Sequence, residues 1–205
     1  MGFDTDVNAA VLGEVSFGSV RGLDSCIYVT VGTGVGVGVF AGGKLLHGMM
    51  HPEAGHILLQ RHPSDTYEGK CPFHNNCLEG LACGPAIEER WGAKAETLGD
   101  REEVWELEAY YIAQACVNYT LVYSPKRIIL GGGVMHQEQL FPLIRRQYQE
   151  LMADYVITPE LENLNRYITP CSLHDDQGIL GCLKLAMNAL EKFLTQALRA
   201  QCVTK

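Results

Sequence analysis

No stretch of the 205 residues stays apolar over the ~20 positions that a membrane-spanning helix needs. Positive charge is scarce too. Sixteen Lys and Arg face 24 Asp and Glu, for a formal net charge of -8. That balance argues against a general nucleic-acid binder, which presents a basic face. The opening MGFDTDVN has neither the basic start nor the apolar core of a signal peptide, so no leader is expected. There is no internal repeat and no low-complexity linker. The eight cysteines invite a disulfide framework, but this is not a small secreted chain. Reduced thiols in a cytoplasm are expected. Cys26, Cys116 and Cys182 then act as small hydrophobes in apolar surroundings, and a metal claims Cys71 and Cys77.

What is present is a chain of ordinary apolar content, 47%, long enough for one large domain or one and a half small ones. Residues 7–17 read as a helix, with Ala9, Val11, Leu12 and Val15 forming an apolar stripe. Asp4 or Asp6 is placed to cap its first turn. A carboxylate there is held ionised by the helix N-terminus, as a general base requires. Residues 26–31, 35–40 and 44–46 are three short strands joined by tight glycine turns, an antiparallel meander. Helices follow over 85–95 and 102–123, and a buried strand over 127–130 ends in Gly131-Gly132-Gly133. Residues 137–155 are helical, with Pro142 either kinking the helix or marking a later start. A strand over 167–173 and a final helix over 177–200 complete an α/β sheet with helices on its faces.

The glycine-spaced VGTGVGVG is not a dinucleotide fingerprint, because no helix follows. It is not a P-loop, because no Gly-Lys-Ser/Thr follows. Gly34 lets the backbone approach an anion and Thr33 adds a hydroxyl. The competing reading is a plain hairpin with its glycines crowded against a neighbour. Gly131, Gly132 and Gly133 offer a second such approach. The metal signal is sharper. Cys71, His74 and Cys77 are spaced C-x2-H-x2-C between Gly69 and Pro72. Thiolate and imidazole are zinc ligands, and four of them make a closed structural site. His56, His51 and His62 compete for the fourth place.

Residues 31–56, with spaced glycines, Gly48, Pro52 and Gly55-His56, resemble the signature of the ROK family of sugar kinases and repressors. Glu53-Ala54-Gly55-His56 is similar to its E-x-G-H sugar motif, and DVNAA at Asp6 to its catalytic-aspartate segment. CPFHNNC, followed by Glu79-Gly80, resembles the zinc loop of its bacterial fructokinase branch. The resemblance runs from about Phe3 to at least Leu190. It implies the C-terminal domain of a hexokinase-type, actin-like ATPase (ribonuclease H-like) α/β fold. Residues 1–24 would end a preceding domain as a hinge helix. Residues 25–205 would form the C-terminal kinase domain, with a zinc loop at 51–80.

The implied activity is ATP-dependent phosphorylation of a hexose, fructose first, in the cytoplasm, with Mg2+ and a structural Zn2+. Asp6 would be the base. Glu53, His56 and Glu79 would hold sugar hydroxyls. Thr33 and Gly34 would face the phosphates, and Pro85 with Gly131, Gly132 and Gly133 the adenosine. His56, Cys71, His74 and Cys77 would hold the zinc. The resemblance also implies a homodimer for the assembled kinase, with no nucleic-acid or membrane partner.

The family opens with an Asp-Gly-Gly-Thr phosphate loop upstream of its catalytic aspartate. Here nothing precedes Met1, so a half-kinase of little activity is the expectation. Thr5 stands where Asn often precedes that aspartate, and LHDDQGIL departs from a more usual Asn/Ala-containing form. Three alternatives remain: a glucokinase, a ROK repressor without its helix-turn-helix, or a non-catalytic zinc-bearing sugar binder.

Overall fold

A computed structural model describes residues 3–203, with side chains to residue 198. Strands β1 (Cys26–Val31), β2 (Val35–Ala41) and β3 (Lys44–Leu45) form the expected meander. β4 (Ile128–Gly131) and β5 (Ile168–Pro170) extend it in the order β3-β2-β1-β4-β5. β1 pairs antiparallel to β2, with Val29 opposite Val37, and parallel to β4, with Val29 opposite Leu130. β4 pairs parallel to β5. A parallel neighbour needs a long crossover. Helices α2 (Leu78–Ala82), α3 (Gly84–Trp91) and α4 (Glu102–Tyr123) lie within that connection.

The three central strands β2, β1 and β4 are buried on both faces. Ile27, Val29 and Val31 face the larger core, built with Leu81, Ile87, Tyr111 and Ile112 of α2–α4. Cys26 and Tyr28 face the other way, into a smaller core with Ala10 and Val11 of helix α1 (Asp6–Phe17). α1 lies flat on β2. A Cβ at Gly36 would strike Val7 Cγ1, and one at Gly38 the Val7 backbone. Two of the spaced glycines are therefore explained by the crowding of this helix against the sheet.

Several expectations need correction. The cap of α1 is neither Asp4 nor Asp6 but Thr5, whose Oγ1 accepts the Asn8 N–H at 3.2 Å. Asp6 is the first helical residue. α1 has no apolar stripe with a polar opposite side, because every residue from Val7 to Glu14 is buried. The sheet covers one side and α7 (Gln177–Val203) the other, with Gly13 against the Gln177 backbone and Gly181 against Ala9. α3 stops at Trp91, where Gly92 turns left-handed at φ 69°. α5 (Leu140–Met152) starts late and is not kinked. Pro142 sits in its first turn, where a missing N–H costs no hydrogen bond. A four-residue helix α6 (Leu164–Tyr167) replaces the start of the last strand. Cys26 and Cys116 are buried as expected, but Cys182 is exposed. Cys202 lies outside the residues whose side chains are described.

Candidate functional site

A cleft of about 440 Å³ opens beside the turn between β1 and β2. Thr5 and Asp6 reach it from the start of α1, Thr33 and Gly34 from the turn, and Glu53 and Glu79 from the segment beyond. The tight hairpin makes the turn, with the Gly32 N–H donating to Gly34 O at 2.9 Å. Asp6 accepts the N–H of Val7 at 2.9 Å and is otherwise exposed. Asp4, two residues earlier and just ahead of α1, is more confined. Burial alone would raise its carboxyl, but hydrogen bonds from Asn8, the Thr5 N–H and His47 outweigh that and hold its pKa below the ordinary value.

Glu79 ties the cleft to the cysteine loop. It lies in the first turn of α2, and its Oε2 accepts the Val35 N–H at 3.0 Å. A Cβ at Gly34 would stand only 2.8 Å from that oxygen, so any side chain there would displace the Glu79 carboxylate. The other oxygen, Oε1, is 3.8 Å from His56 Nε2. His56 ends a 3-10 turn, Ala54–His56, whose Gly55 is pressed against the Val35 backbone.

The opposite nitrogen of His56 points at the cysteines. Its Nδ1 is 3.8 Å from Cys71 Sγ and 3.6 Å from Cys77 Sγ, and His74 Nδ1 is 3.7 Å from Cys71 Sγ. Ligand atoms of His56, Cys71, His74 and Cys77 all lie within 4.8 Å of one another. For a tetrahedral ion with metal–sulfur bonds of about 2.3 Å and metal–nitrogen bonds of about 2.0 Å, sulfur and nitrogen should be roughly 3.5 Å apart. The four side chains fit one such ion, and zinc is compatible with the donor set. The rival histidines are engaged elsewhere: His51 Nε2 contacts Glu53 Oε1 at 2.7 Å, and His62 Nδ1 contacts Ser64 Oγ at 2.7 Å.

Burial pushes the Cys77 thiol up to about 11, against a lowering contribution from the Gly80 N–H. The loop is also braced by protein alone. The Arg61 guanidinium donates to the carbonyls of Tyr67, Glu68 and Asn75. Arg90 and Asp65 form a buried ion pair at 3.2 Å, and Asp65 also accepts from the Tyr111 hydroxyl.

The remaining candidates do not line the cleft. Pro85 follows Gly84 at the start of α3, where the Gly84 N–H donates to Gly32 O at 2.7 Å. Gly131 and Gly132 crowd their own sheet: a Cβ at Gly131 would meet the Tyr28 hydroxyl, and one at Gly132 the Val31 backbone. Gly133 faces open space. These segments nonetheless gather at the carboxyl ends of the parallel strands β1 and β4, where open α/β sheets bind ligands. One residue of the cleft and one buried neighbour of Asp4 escaped the sequence reading. His51, weighed only as a metal ligand, orients Glu53. Asn8 is fully buried and joins Asp4 at 2.7 Å; its place beside the candidate base was the available signal.

Among the described residues no helix is long and apolar enough to cross a membrane. Residues 1–189 match the ROK family. A Bacillus subtilis (strain 168) relative is 55% identical over 192 residues, covering 93% of this chain and 64% of its own length. A fructokinase of Pediococcus pentosaceus is 44% identical over 187 residues, covering 91% of this chain and 64% of that protein. The chain thus spans just under two thirds of the length of these curated relatives. The crystal structure of a ROK hexokinase from Thermus thermophilus superposes with a TM-score of 0.77 at 26% identity, over 92% of this chain and 65% of that one. The fold is of the actin-like, hexokinase-type class, and the chain belongs to the ROK family.

Proposed function

We propose that this chain forms the sugar-binding, metal-bearing part of an ATP-dependent hexose kinase, with fructose as the first substrate. The carrying observation is the cleft that collects Asp6, Glu53, Glu79 and the Thr33-Gly34 turn. The kinship to fructokinases favours fructose over glucose. Residues 1–24 are assigned to a hinge helix at the end of one domain, and 25–205 to the C-terminal kinase domain with its metal loop at 51–80.

Each residue has a physical role in this reading. Asp6 is the general base that takes the proton of the attacking sugar hydroxyl. Its place in the first turn of α1 sets the carboxylate at the edge of the cleft. Glu53, Glu79 and His56 hold the other hydroxyls, with His51 fixing the Glu53 carboxylate. Thr33 and Gly34 offer a hydroxyl and a backbone N–H to phosphate oxygens. Pro85 and Gly131–Gly133 border the adenosine. Phosphoryl transfer demands positioning and charge neutralisation rather than covalent help. Mg2+ bound with ATP supplies the neutralising charge.

Zn2+ is assigned to His56, Cys71, His74 and Cys77. Four protein ligands leave no open position, so the ion is structural. It would fix the His56 ring and, through Nε2, the orientation of Glu79. The assembled kinase is assigned to the cytoplasm, as a homodimer.

Calorimetry of this chain with fructose, and coupled ADP-release assays on a chimera that adds the unmatched part of the Bacillus subtilis relative, test the reading. Fructose should bind the chain, and Glu53→Gln should weaken it. In the chimera, Asp6→Asn should lower turnover by about 10²–10⁴ while nearly preserving sugar affinity. Failure of the chain to bind fructose, or wild-type turnover in the Asn variant, refutes the assignment.

A further inference from the structure

Asp6, Glu53 and Glu79 line the cleft, but the three carboxylates are not held alike. Asp6 accepts the N–H of Val7 at 2.9 Å, and Glu79 that of Val35 at 3.0 Å. Both donors are backbone groups, which every residue except proline supplies. Glu53 is held by a side chain instead. It is 56% exposed, and its carboxylate has one hydrogen-bond partner among the described residues. That partner is His51, whose Nε2 lies 2.7 Å from Oε1. His51 lines the cleft as well.

The local sequence favours this pair. Pro52 disfavours helical backbone at the residue before it, which biases His51 to an extended conformation. Side chains two apart on extended backbone lie on the same side, so the imidazole is brought towards the carboxylate. An ionised carboxylate only accepts, so the proton of this bond sits on Nε2, and the neutral ring carries none on Nδ1.

We propose that His51 is the residue that sets which hexose this cleft takes, acting through Glu53; the inference rests on the kinase reading above. A carboxylate on a free, exposed side chain turns to meet whichever hydroxyl is near, and must be ordered when the ligand binds. One already held by His51 rewards a hydroxyl in a single place and loses less freedom on binding. Fructose and glucose share their configuration at C3, C4 and C5 and differ at C1 and C2. Telling them apart therefore takes acceptors that do not move. The backbone clamps on Asp6 and Glu79 survive a change of side chain at the donor residue. The clamp on Glu53 is lost with one substitution. Position 51 is thus where the choice of hexose shifts while the rest of the cleft stays in place. His51 is a positioning residue here, and Glu53 is the group that meets the sugar.

Calorimetry of this chain with fructose and with glucose tests the proposal. His51→Ala should weaken fructose binding about 2–10-fold, the cost of ordering one side chain. Glucose should be weakened less, so the preference for fructose shrinks. His51→Gln keeps an N–H for Glu53 and should restore most of that preference. In a Glu53→Ala background, His51→Ala should change nothing further, because the two residues act as one unit. Nitrogen-15 NMR of the sugar-free chain should find the His51 proton on Nε2. The proposal is overturned by an unchanged preference in His51→Ala, by a Gln variant no better than the Ala variant, by a His51→Ala loss that persists in Glu53→Ala, or by a proton on Nδ1. Any of these leaves the kinase reading standing if the wild-type chain binds fructose and Glu53→Ala weakens it. A wild-type chain that binds no fructose overturns both.

Discussion

Glu108 should make this protein's stability fall as pH rises, and replacing it should remove that dependence. The side chain sits mid-way along α4, 1% exposed, and neither carboxyl oxygen has a hydrogen-bond partner among the described residues. Desolvation pushes its pKa well above the ordinary carboxylate value, and the charge of Arg90 only partly opposes this. The folded state therefore keeps a proton that the unfolded chain releases near pH 4.5. Between that pH and the raised folded value, the native state binds more protons than the unfolded state. Unfolding free energy then decreases with pH. The slope approaches about 1.4 kcal/mol per pH unit while the folded group stays protonated. From pH 5.5 to 7.5 the loss accumulates as far as the folded group stays protonated.

Glu108→Gln keeps the shape and cannot ionise. Urea unfolding of both proteins across that range isolates the group, since all other titrations are shared. Near pH 5 the two should be similar, with the variant gaining steadily above it. Parallel pH profiles would refute the argument, because they would mean that Glu108 titrates alike in folded and unfolded chains.

The metal loop and its brace make separate predictions. Purified protein should carry one zinc per chain, lost in Cys77→Ser, as measured by elemental analysis. Because burial holds the free Cys77 thiol near 11, the metal must displace a proton, so affinity should fall as pH is lowered. Well under one zinc per chain with all thiols reduced contradicts the site. Asp65→Asn should cost about 3–5 kcal/mol in urea unfolding, because it leaves the Arg90 charge buried without its partner. A loss below about 1 kcal/mol would mean that water or another carboxylate compensates that charge.

The sequence alone determined the features whose physics is local. The meander over residues 26–45 was legible because tight glycine turns and short apolar runs restrict the backbone within a few residues. The C-x2-H-x2-C spacing brought three metal ligands together because a short loop has little choice in where it points. The family followed from motifs that place such local features in order. What crosses the chain had to come from the tertiary structure. Three histidines were possible fourth ligands, and packing of Gly55 on Val35 selected His56. α1 read as a one-sided helix, yet it is buried all round because α7, more than 150 residues later, closes its other side. The spaced glycines read as an anion turn or a crowded hairpin. The structure divides them, with Gly34 making room for Glu79 and Gly36 and Gly38 making room for α1. Periodicity records which residues avoid water, but not which distant element shelters them.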